Sequence, residues 1–280
     1  MVTDWAAAAA VLGFVLIGEL ALLGALAGFL AGLLGIGGGM LMVPFLTWIL
    51  AGRGVDPDLA VKMGIATAMA TIVLTSLSSV RAHSRMTAVR WDIVRAMAPG
   101  VVCGGLLAGG VALSAVHGRW LAVLFAVFAA WSAMQLVRDR PPRPGRSLPS
   151  AAGLFAAGSG IGFAAGLVGA GGAFLSIPYL GWCNVAMRTA VGTSAAIGFP
   201  IALSNTVGYV IGGVGLPMTI PGAWGYLFVP AIVALAITSV TFAPLGAKVA
   251  HRIDVRRLKR IFAVLQVALA ASMIYRVFFG

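Results

Sequence analysis

Long apolar runs with almost no charge constrain this chain more than any other feature. A run of about 18 such residues is long enough to cross a bilayer as a helix. The chain has 280 residues, of which 61% are hydrophobic and 9% charged, whereas about 25% of the residues in an ordinary soluble domain are charged. The sequence therefore predicts an all-α polytopic membrane protein with about eight embedded segments and the lipid bilayer as its partner.

The basic residues of the chain lie in a pattern that predicts its orientation. The formal net charge is +12, which in a soluble protein would suggest a nucleic-acid ligand. Here the charges cluster at 81–95, 138–146 and 248–260, next to apolar runs. By the positive-inside rule, we predict that these stretches are cytoplasmic and that 52–58 and 212–224 lie outside. We expect no nucleic-acid partner.

An internal duplication divides the chain into two halves. Shifting the sequence by 134 residues aligns 24–48 with 158–182, and 13 of these 25 positions are identical without a gap. The identities include a proline, a tryptophan and six glycines, which apolar composition alone does not explain. We therefore assign 1–138 and 150–280 to two transmembrane repeats and 139–149 to a cytoplasmic linker.

Each repeat contains a glycine-broken segment followed by three apolar segments. We place these segments at 59–81, 92–116 and 119–137 in the first repeat and at 188–212, 225–248 and 260–279 in the second. With the charges as assigned, corresponding segments run in opposite directions, which predicts inverted-topology repeats. The opposite directions require each glycine-broken segment to fold back as a helical hairpin, so that it ends on the side of the membrane from which it starts.

The glycine breaks are the strongest functional feature. Glycine permits positive φ and close approach of another backbone or a ligand. A helix that restarts after a break presents backbone N–H groups and the positive end of its dipole, which together favour anions. We therefore predict substrate-binding glycines at Gly37, Gly38, Gly39, Gly171 and Gly172. Six other glycines at small-xxx-small spacing are predicted to pack helices: Gly24, Gly28, Gly32, Gly158, Gly162 and Gly166.

Polar side chains inside the apolar segments are the remaining candidates. We predict that Thr67, Thr193, Ser194 and Asn205 complete a polar shell around the substrate. The alternative for the hydroxyls is a bond to their own helix backbone, and for the asparagine it is helix packing. Glu19 is an acid within a long apolar run and is a candidate carrier of a coupling proton.

No residue pattern indicates catalysis. The three histidines lack metal-ligand spacing, and neither a nucleophilic triad nor a pair of embedded carboxylates is present. We therefore predict no enzymatic activity, no metal and no cofactor. Lys62 and Arg188, near the starts of equivalent segments, either attract anions or anchor the interface.

These features resemble the TauE/SafE family of sulfite exporters and related anion permeases. The resemblance rests on motifs in family-typical order, at 27–39 with Pro44, 162–178, 191–194 and 246–250. The first repeat departs from the second, with Ile65-Ala66 where Thr193-Ser194 stand, and Thr67 is the nearest substitute.

The resemblance implies a multi-pass transporter of the bacterial inner membrane that moves sulfite, organosulfonates or other small anions. We expect alternating access around a central site between the two breaks. An anion channel, or less favourably a membrane-embedded enzyme or assembly factor, is the alternative. The substrate, the coupling ion and the oligomeric state, a homo-oligomer included, are left open by the sequence.

Overall fold

The computed structural model describes residues 13–34, 38–85, 89–138, 145, 147–217, 220–249 and 255–279. Within these residues the chain forms ten helices. Five belong to the first repeat: α1 (Phe14–Leu34), α2 (Gly39–Ala51), α3 (Pro57–Arg85), α4 (Trp91–Leu107) and α5 (Gly118–Arg138). Five belong to the second: α6 (Ala151–Val168), α7 (Ala173–Trp182), α8 (Met187–Gly212), α9 (Val229–Val249) and α10 (Val255–Phe279). Helix α4 continues through a π-helical turn (Ala108–Ala112) into a short last turn (Leu113–Ala115).

Eight of the described helices are long and apolar enough to cross a membrane. The chain is thus an all-α polytopic membrane protein, as predicted. The other two, α2 with 13 residues and α7 with 10 residues, follow the glycine breaks. At about 1.5 Å per residue they span roughly 20 Å and 15 Å, less than the ~30 Å hydrocarbon core.

Glycines pack α1 directly along α9. A Cβ atom at Gly28 would lie 2.3 Å from the carbonyl oxygen of Ser239, and one at Gly32 would lie 1.9 Å from that of Ala243. Gly24 makes the same approach one turn earlier. Because the contacts advance in step along both helices, α1 and α9 run in the same direction.

Helices α4 and α6 repeat this arrangement. A Cβ atom at Gly158 would lie 2.5 Å from the carbonyl oxygen of Met97, and one at Gly162 would lie 2.5 Å from that of Val101. Again the contacts advance together, so the two helices are parallel. The fourth helix of each repeat therefore packs on the first helix of the other. The packing role predicted for the six spaced glycines is confirmed, since a side chain at any of them would overlap a neighbouring helix.

Both glycine-broken segments fold back. In the first repeat, the guanidinium of Arg53, just after α2, lies 3.8 Å from the carboxylate of Glu19, near the start of α1. In the second, the N–H of Gly145, ahead of α6, donates to the carbonyl of Trp182, the last residue of α7. Each hairpin therefore starts and ends on the same side.

The start of the last-but-one span differs from the prediction. The apolar segment is predicted at roughly 225–248, whereas α9 begins at Val229, after a two-stranded antiparallel hairpin of β1 (Ala223–Trp224) and β2 (Leu227–Phe228). The cause is local, because Gly222 and Gly225 adopt φ of +84° and +57°, which favours a turn over a helix. Helix α9 then starts with a proline at its second position, where the missing N–H costs little.

Candidate functional site

The two glycine breaks touch each other at the centre of the molecule. A Cβ atom at Gly39 would lie 2.3 Å from the carbonyl oxygen of Gly169 and 3.3 Å from the Cα of Ala170. The first break thus packs backbone against backbone on the second, which no side chain at position 39 would permit. Gly38 precedes α2 and packs on Ala27 of α1. Gly37 lies outside the described residues.

The second break has a backbone that only glycine readily adopts. Gly169, Gly171 and Gly172 have φ of +73°, +72° and +72°, in the left-handed region that is costly for residues with a Cβ. These turns reverse the chain between α6 and α7. The first break differs at the corresponding position, since Gly38 has a right-handed φ of −78°.

Isoleucines from α3 and α8 enclose the breaks. The Cδ1 atom of Ile72 would lie 2.9 Å from a Cβ at Gly39 and 3.3 Å from one at Gly171. The Cδ1 atom of Ile201 would lie 2.2 Å from a Cβ at Gly172. The long third helix of each repeat therefore forms a wall of this central junction.

Two hydroxyl groups lie beside the second break. Ser176 Oγ, in the first turns of α7, donates to the carbonyl of Gly172 at 3.0 Å and lies 2.5 Å from Ser194 Oγ of α8. Both serines are buried. Ser194 was predicted from the sequence, whereas Ser176 was missed. The available signal was a hydroxyl in the first turns of the restarted helix, where the repeat partner Met42 on α2 has none.

Thr67 and Thr193 connect the two repeats. Both are fully buried. Thr193 Oγ1 accepts the N–H of Arg90, the residue before α4, and Thr67 Oγ1 accepts the N–H of Phe228, the residue before α9. Each threonine thus caps the fourth helix of the other repeat, at 3.0 Å in both cases. Their hydroxyls hold the framework that surrounds the breaks.

Asn205 is fully buried where α4, α6 and α8 meet. Its Nδ2 donates to the carbonyls of Ile201 at 2.8 Å and Gly162 at 3.3 Å, while Oδ1 has no hydrogen-bond partner. A Cβ atom at Gly166 would lie 1.9 Å from that oxygen. The amide therefore joins α8 to α6 and keeps one acceptor unsatisfied.

Comparison with known proteins identifies the family. The family model described as "Sulfite exporter TauE/SafE" matches residues 20–273. The chain belongs to the TauE/SafE family. Because this is a family of transporters, the protein is a membrane transporter rather than an enzyme.

Three relatives of this TauE/SafE chain carry matching names. A "Probable membrane transporter protein" of Haemophilus influenzae is 31% identical over 254 residues, covering 90% of this chain and 96% of the relative. A protein of the same description from Methanocaldococcus jannaschii is 24% identical, covering 86% and 88%. YunE of Bacillus subtilis, also so described, is 24% identical, covering 93% and 98%. No solved structure matches the chain.

The charged candidates of this TauE/SafE chain lie at helix ends rather than at the breaks. Glu19 is paired with Arg53, and their side chains are 44% and 32% exposed. Lys62 is buried, lies 3.4 Å from the Asp58 carboxylate and donates to the carbonyl of Ser114. Arg188 is exposed.

A polar cluster at the start of α3 connects several elements. Besides its ion pair with Lys62, Asp58 accepts the N–H of Gly118, the first residue of α5. Tyr226 of the β-hairpin interacts electrostatically with this carboxylate. Burial raises the pKa of its hydroxyl, and the negative charge of Asp58 raises it further. Within the described residues, no group of three His, Cys, Asp or Glu side chains is placed to hold a metal ion.

Proposed function

We propose that this protein is a secondary transporter of small anions, with sulfite and organosulfonates as its substrates. It works by alternating access around the contact between the two breaks. The observation that carries the proposal is the close approach of Gly39 to the carbonyl of Gly169. Two discontinuous helices meeting at mid-depth are the arrangement in which secondary transporters bind their substrates.

The packing of the helices supports inverted repeats. Helix α4 runs parallel to α6 and α9 runs parallel to α1, so the first helix of each repeat follows the fourth helix of the other. Each hairpin also returns to its starting side, as the Glu19–Arg53 and Gly145–Trp182 contacts indicate. Each repeat then crosses the membrane three more times. Because this number is odd, the second repeat starts on the opposite side of the membrane from the first and is inverted. The reciprocal threonine caps fit the same two-fold relation.

The second break has the chemistry for an anion. Helix α7 begins at Ala173, and the positive end of its dipole lies at the break and favours an anion. The N–H groups of Ala173, Leu175 and Ser176 donate to the carbonyls of Gly171 and Gly172, so the side chains beside the break supply the donors. Ser176 and Ser194 add two hydroxyls. Each O–H bonds within the protein and can turn to a bound oxyanion, since a hydroxyl rotates to suit its partner. Gly171 leaves the most room for a substrate to approach the backbone, since a Cβ atom there would meet nothing nearer than 3.3 Å. Gly38, Gly39 and Gly172 shape the junction instead, because they pack on Ala27, Gly169 and Ile201.

Thr67, Thr193 and Asn205 support this site from the surrounding helices. The threonines hold the starts of α4 and α9 against the third helices, and Asn205 holds α8 against α6 through its bond to Gly162. We place the protein in a bacterial inner membrane, with Arg90 and Arg138 at the cytoplasmic face and Arg53 at the outer face, by the positive-inside rule.

Flux measurements test this function. The purified protein is reconstituted in liposomes, and uptake of sulfite, sulfoacetate, sulfate and a small carboxylate is measured with and without unlabelled anion inside. We expect saturable uptake of sulfite and the sulfonate that internal substrate accelerates. Flux that neither saturates nor responds to internal anion is channel behaviour and overturns alternating access. Absence of flux for all four anions overturns the substrate assignment.

A further inference from the structure

One buried side chain in the second repeat has no partner for either of its polar atoms. Gln266 of α10 is fully buried, and both Nε2 and Oε1 lack a hydrogen-bond partner. Among the described residues, the other buried side-chain atoms without partners are Ser132 Oγ and Asn205 Oδ1. A polar group in an apolar interior without a hydrogen bond is costly, and in a membrane span it marks a functional candidate.

Gln266 lies on the face of α10 that packs inside the protein. Phe262, Ala263, Ala270 and Met273 are the other buried residues of this face. The opposite face is exposed, and its large apolar side chains suit contact with lipid. Helix α10 packs on α5 and on α2, the short helix that follows the first break. The amide is therefore directed into the protein rather than into the bilayer.

The register of α10 and α2 places Gln266 at the depth of the first break. The guanidinium of Arg276 lies 5.3 Å from the centre of the Trp48 ring, so these two residues lie within side-chain reach of each other near the ends of α10 and α2. Both helices run toward the end of the molecule that holds Arg53, because α10 returns from the far end of α9. Ten residues back, or about 15 Å along each helix, Gln266 lies at roughly the depth of Gly38.

The first break lacks the hydroxyls of the second. The residues that correspond to Ser176 and Ser194 are Met42 and Ala66, which are both buried. The residue of α5 that corresponds to Gln266 is Ala129, from the alignment that pairs 109–125 with 246–262. The repeats thus carry polar side chains at different positions: α7 and α8 beside the second break, and α10 at the depth of the first.

We propose that Gln266 is a substrate-contacting residue, whose Nε2–H donates to an oxygen of the transported anion beside the first break. Its Oε1 accepts a hydrogen bond from a hydroxyl or ammonium group of the same ligand. An oxyanion that carries such a donor satisfies both atoms. This role rests on the proposed anion transport and adds a specificity-determining contact from outside the broken helices.

The variant Gln266→Met tests the role, because it keeps the length of the side chain and removes both polar atoms. Thermal unfolding in detergent and liposome uptake are measured for the wild type, for this variant and for Ser272→Ala. Ser272 is an exposed residue of α10 that bonds its own helix and is the matched control. Uptake of sulfoacetate and of a hydroxylated alkanesulfonate is compared.

We expect the unfolding temperature of Gln266→Met to stay or rise, since an unsatisfied amide is lost. The KM for anions should rise about ten- to a hundredfold, the range of a hydrogen bond to a charged group, and more for the hydroxylated substrate. The control should match the wild type. A variant that unfolds earlier with unchanged KM shows a structural amide and overturns the assignment, as does unchanged KM with unchanged stability. If the wild type itself moves no anion, it is the proposed function that fails.

Discussion

The two breaks share a sequence motif but differ in backbone and in chemistry. At the second, Gly172 has a left-handed φ of +72°, and at the first the corresponding Gly38 has a right-handed φ of −78°. Ser176 and Ser194 lie beside the second, where the first has Met42 and Ala66. Duplication has thus kept the glycines that shape the backbone, while the side chains beside them differ.

This difference separates the residues that pack the two breaks together from the residues that we propose to bind the anion. The backbone contact between Gly39 and Gly169 depends on both repeats equally, because neither tolerates a side chain there. The hydroxyls that we propose to bind the anion come from the second repeat alone. We therefore expect substitutions at the shared backbone contact to act on folding, and substitutions at the serines to act on substrate affinity.

The largest effect is expected at the backbone contact. Gly39→Ala places a methyl group 2.3 Å from the carbonyl oxygen of Gly169, and two backbones would have to separate. Overpacking typically costs about 1–3 kcal/mol, and we expect the upper end here because backbone atoms are in contact. Thermal unfolding of the purified protein should show a large fall in the midpoint, together with loss of transport.

Gly160→Ala is the matched control, since nothing lies within 4 Å of a Cβ at that helical position. It should be neutral or slightly stabilising, because alanine is favoured over glycine in helices by up to about 1 kcal/mol. If Gly39→Ala and the control unfold at the same midpoint temperature, the two breaks are not in close backbone contact.

The hydroxyl asymmetry gives the next largest effect. Ser194→Ala removes a hydroxyl beside the second break, and we expect KM for sulfite to rise about ten- to a hundredfold with little change in stability. Ala66→Ser adds the corresponding hydroxyl to the first break and should leave KM within about threefold of the wild type. Liposome uptake measures both. A larger change in Ala66→Ser than in Ser194→Ala would reverse the assignment of the anion to the second repeat.

Sequence patterns predicted the membrane spans, the duplication and the returning hairpins, because hydropathy, charge and glycine spacing act locally. They also predicted which glycines pack α1 and α6. Helix α9 starts at Val229, slightly after the predicted boundary near 225, because the positive φ of Gly225 extends the turn into the apolar segment.

The details of the site required tertiary structure. The partner of Ser176 lies 18 residues away on another helix, and that of Thr67 lies 161 residues away. No local pattern carries such pairings. Gln266 was overlooked because it is one uncharged amide in an apolar run, and its significance comes from the absence of partners on the helices around it.

A smaller effect is expected where the repeats differ at the start of their third helices. Asp58 and Lys62 form a partly buried ion pair on α3, whereas Ala186 and Ala190 occupy these positions in the second repeat. Asp58→Asn leaves the Lys62 ammonium without its counter-charge and should cost roughly 1–3 kcal/mol of unfolding free energy, discounted for partial exposure.

Thermal unfolding measures this cost, and Arg188→Gln, at an exposed site of the second repeat, is the control with no expected change. The double variant Asp58→Asn/Lys62→Met should recover part of the loss, since it removes the unpaired charge. A double variant less stable than Asp58→Asn would mean that Lys62 stabilises the fold mainly through its bond to Ser114.

The smallest effect is expected at Glu19. Its ion pair with Arg53 is 3.8 Å long and both side chains are about a third or more exposed, so the pair contributes less than about 1 kcal/mol. Glu19→Gln should shift the unfolding midpoint little and change uptake less than about twofold.

The decisive measurement for Glu19 is uptake with and without an imposed pH gradient. Because the carboxylate lies at the open end of the first hairpin, away from the breaks, we expect the variant to keep the gradient response of the wild type. If the variant loses that response while its uptake without a gradient is normal, the coupling proton travels on Glu19, and the first repeat carries the coupling ion while the second binds the anion.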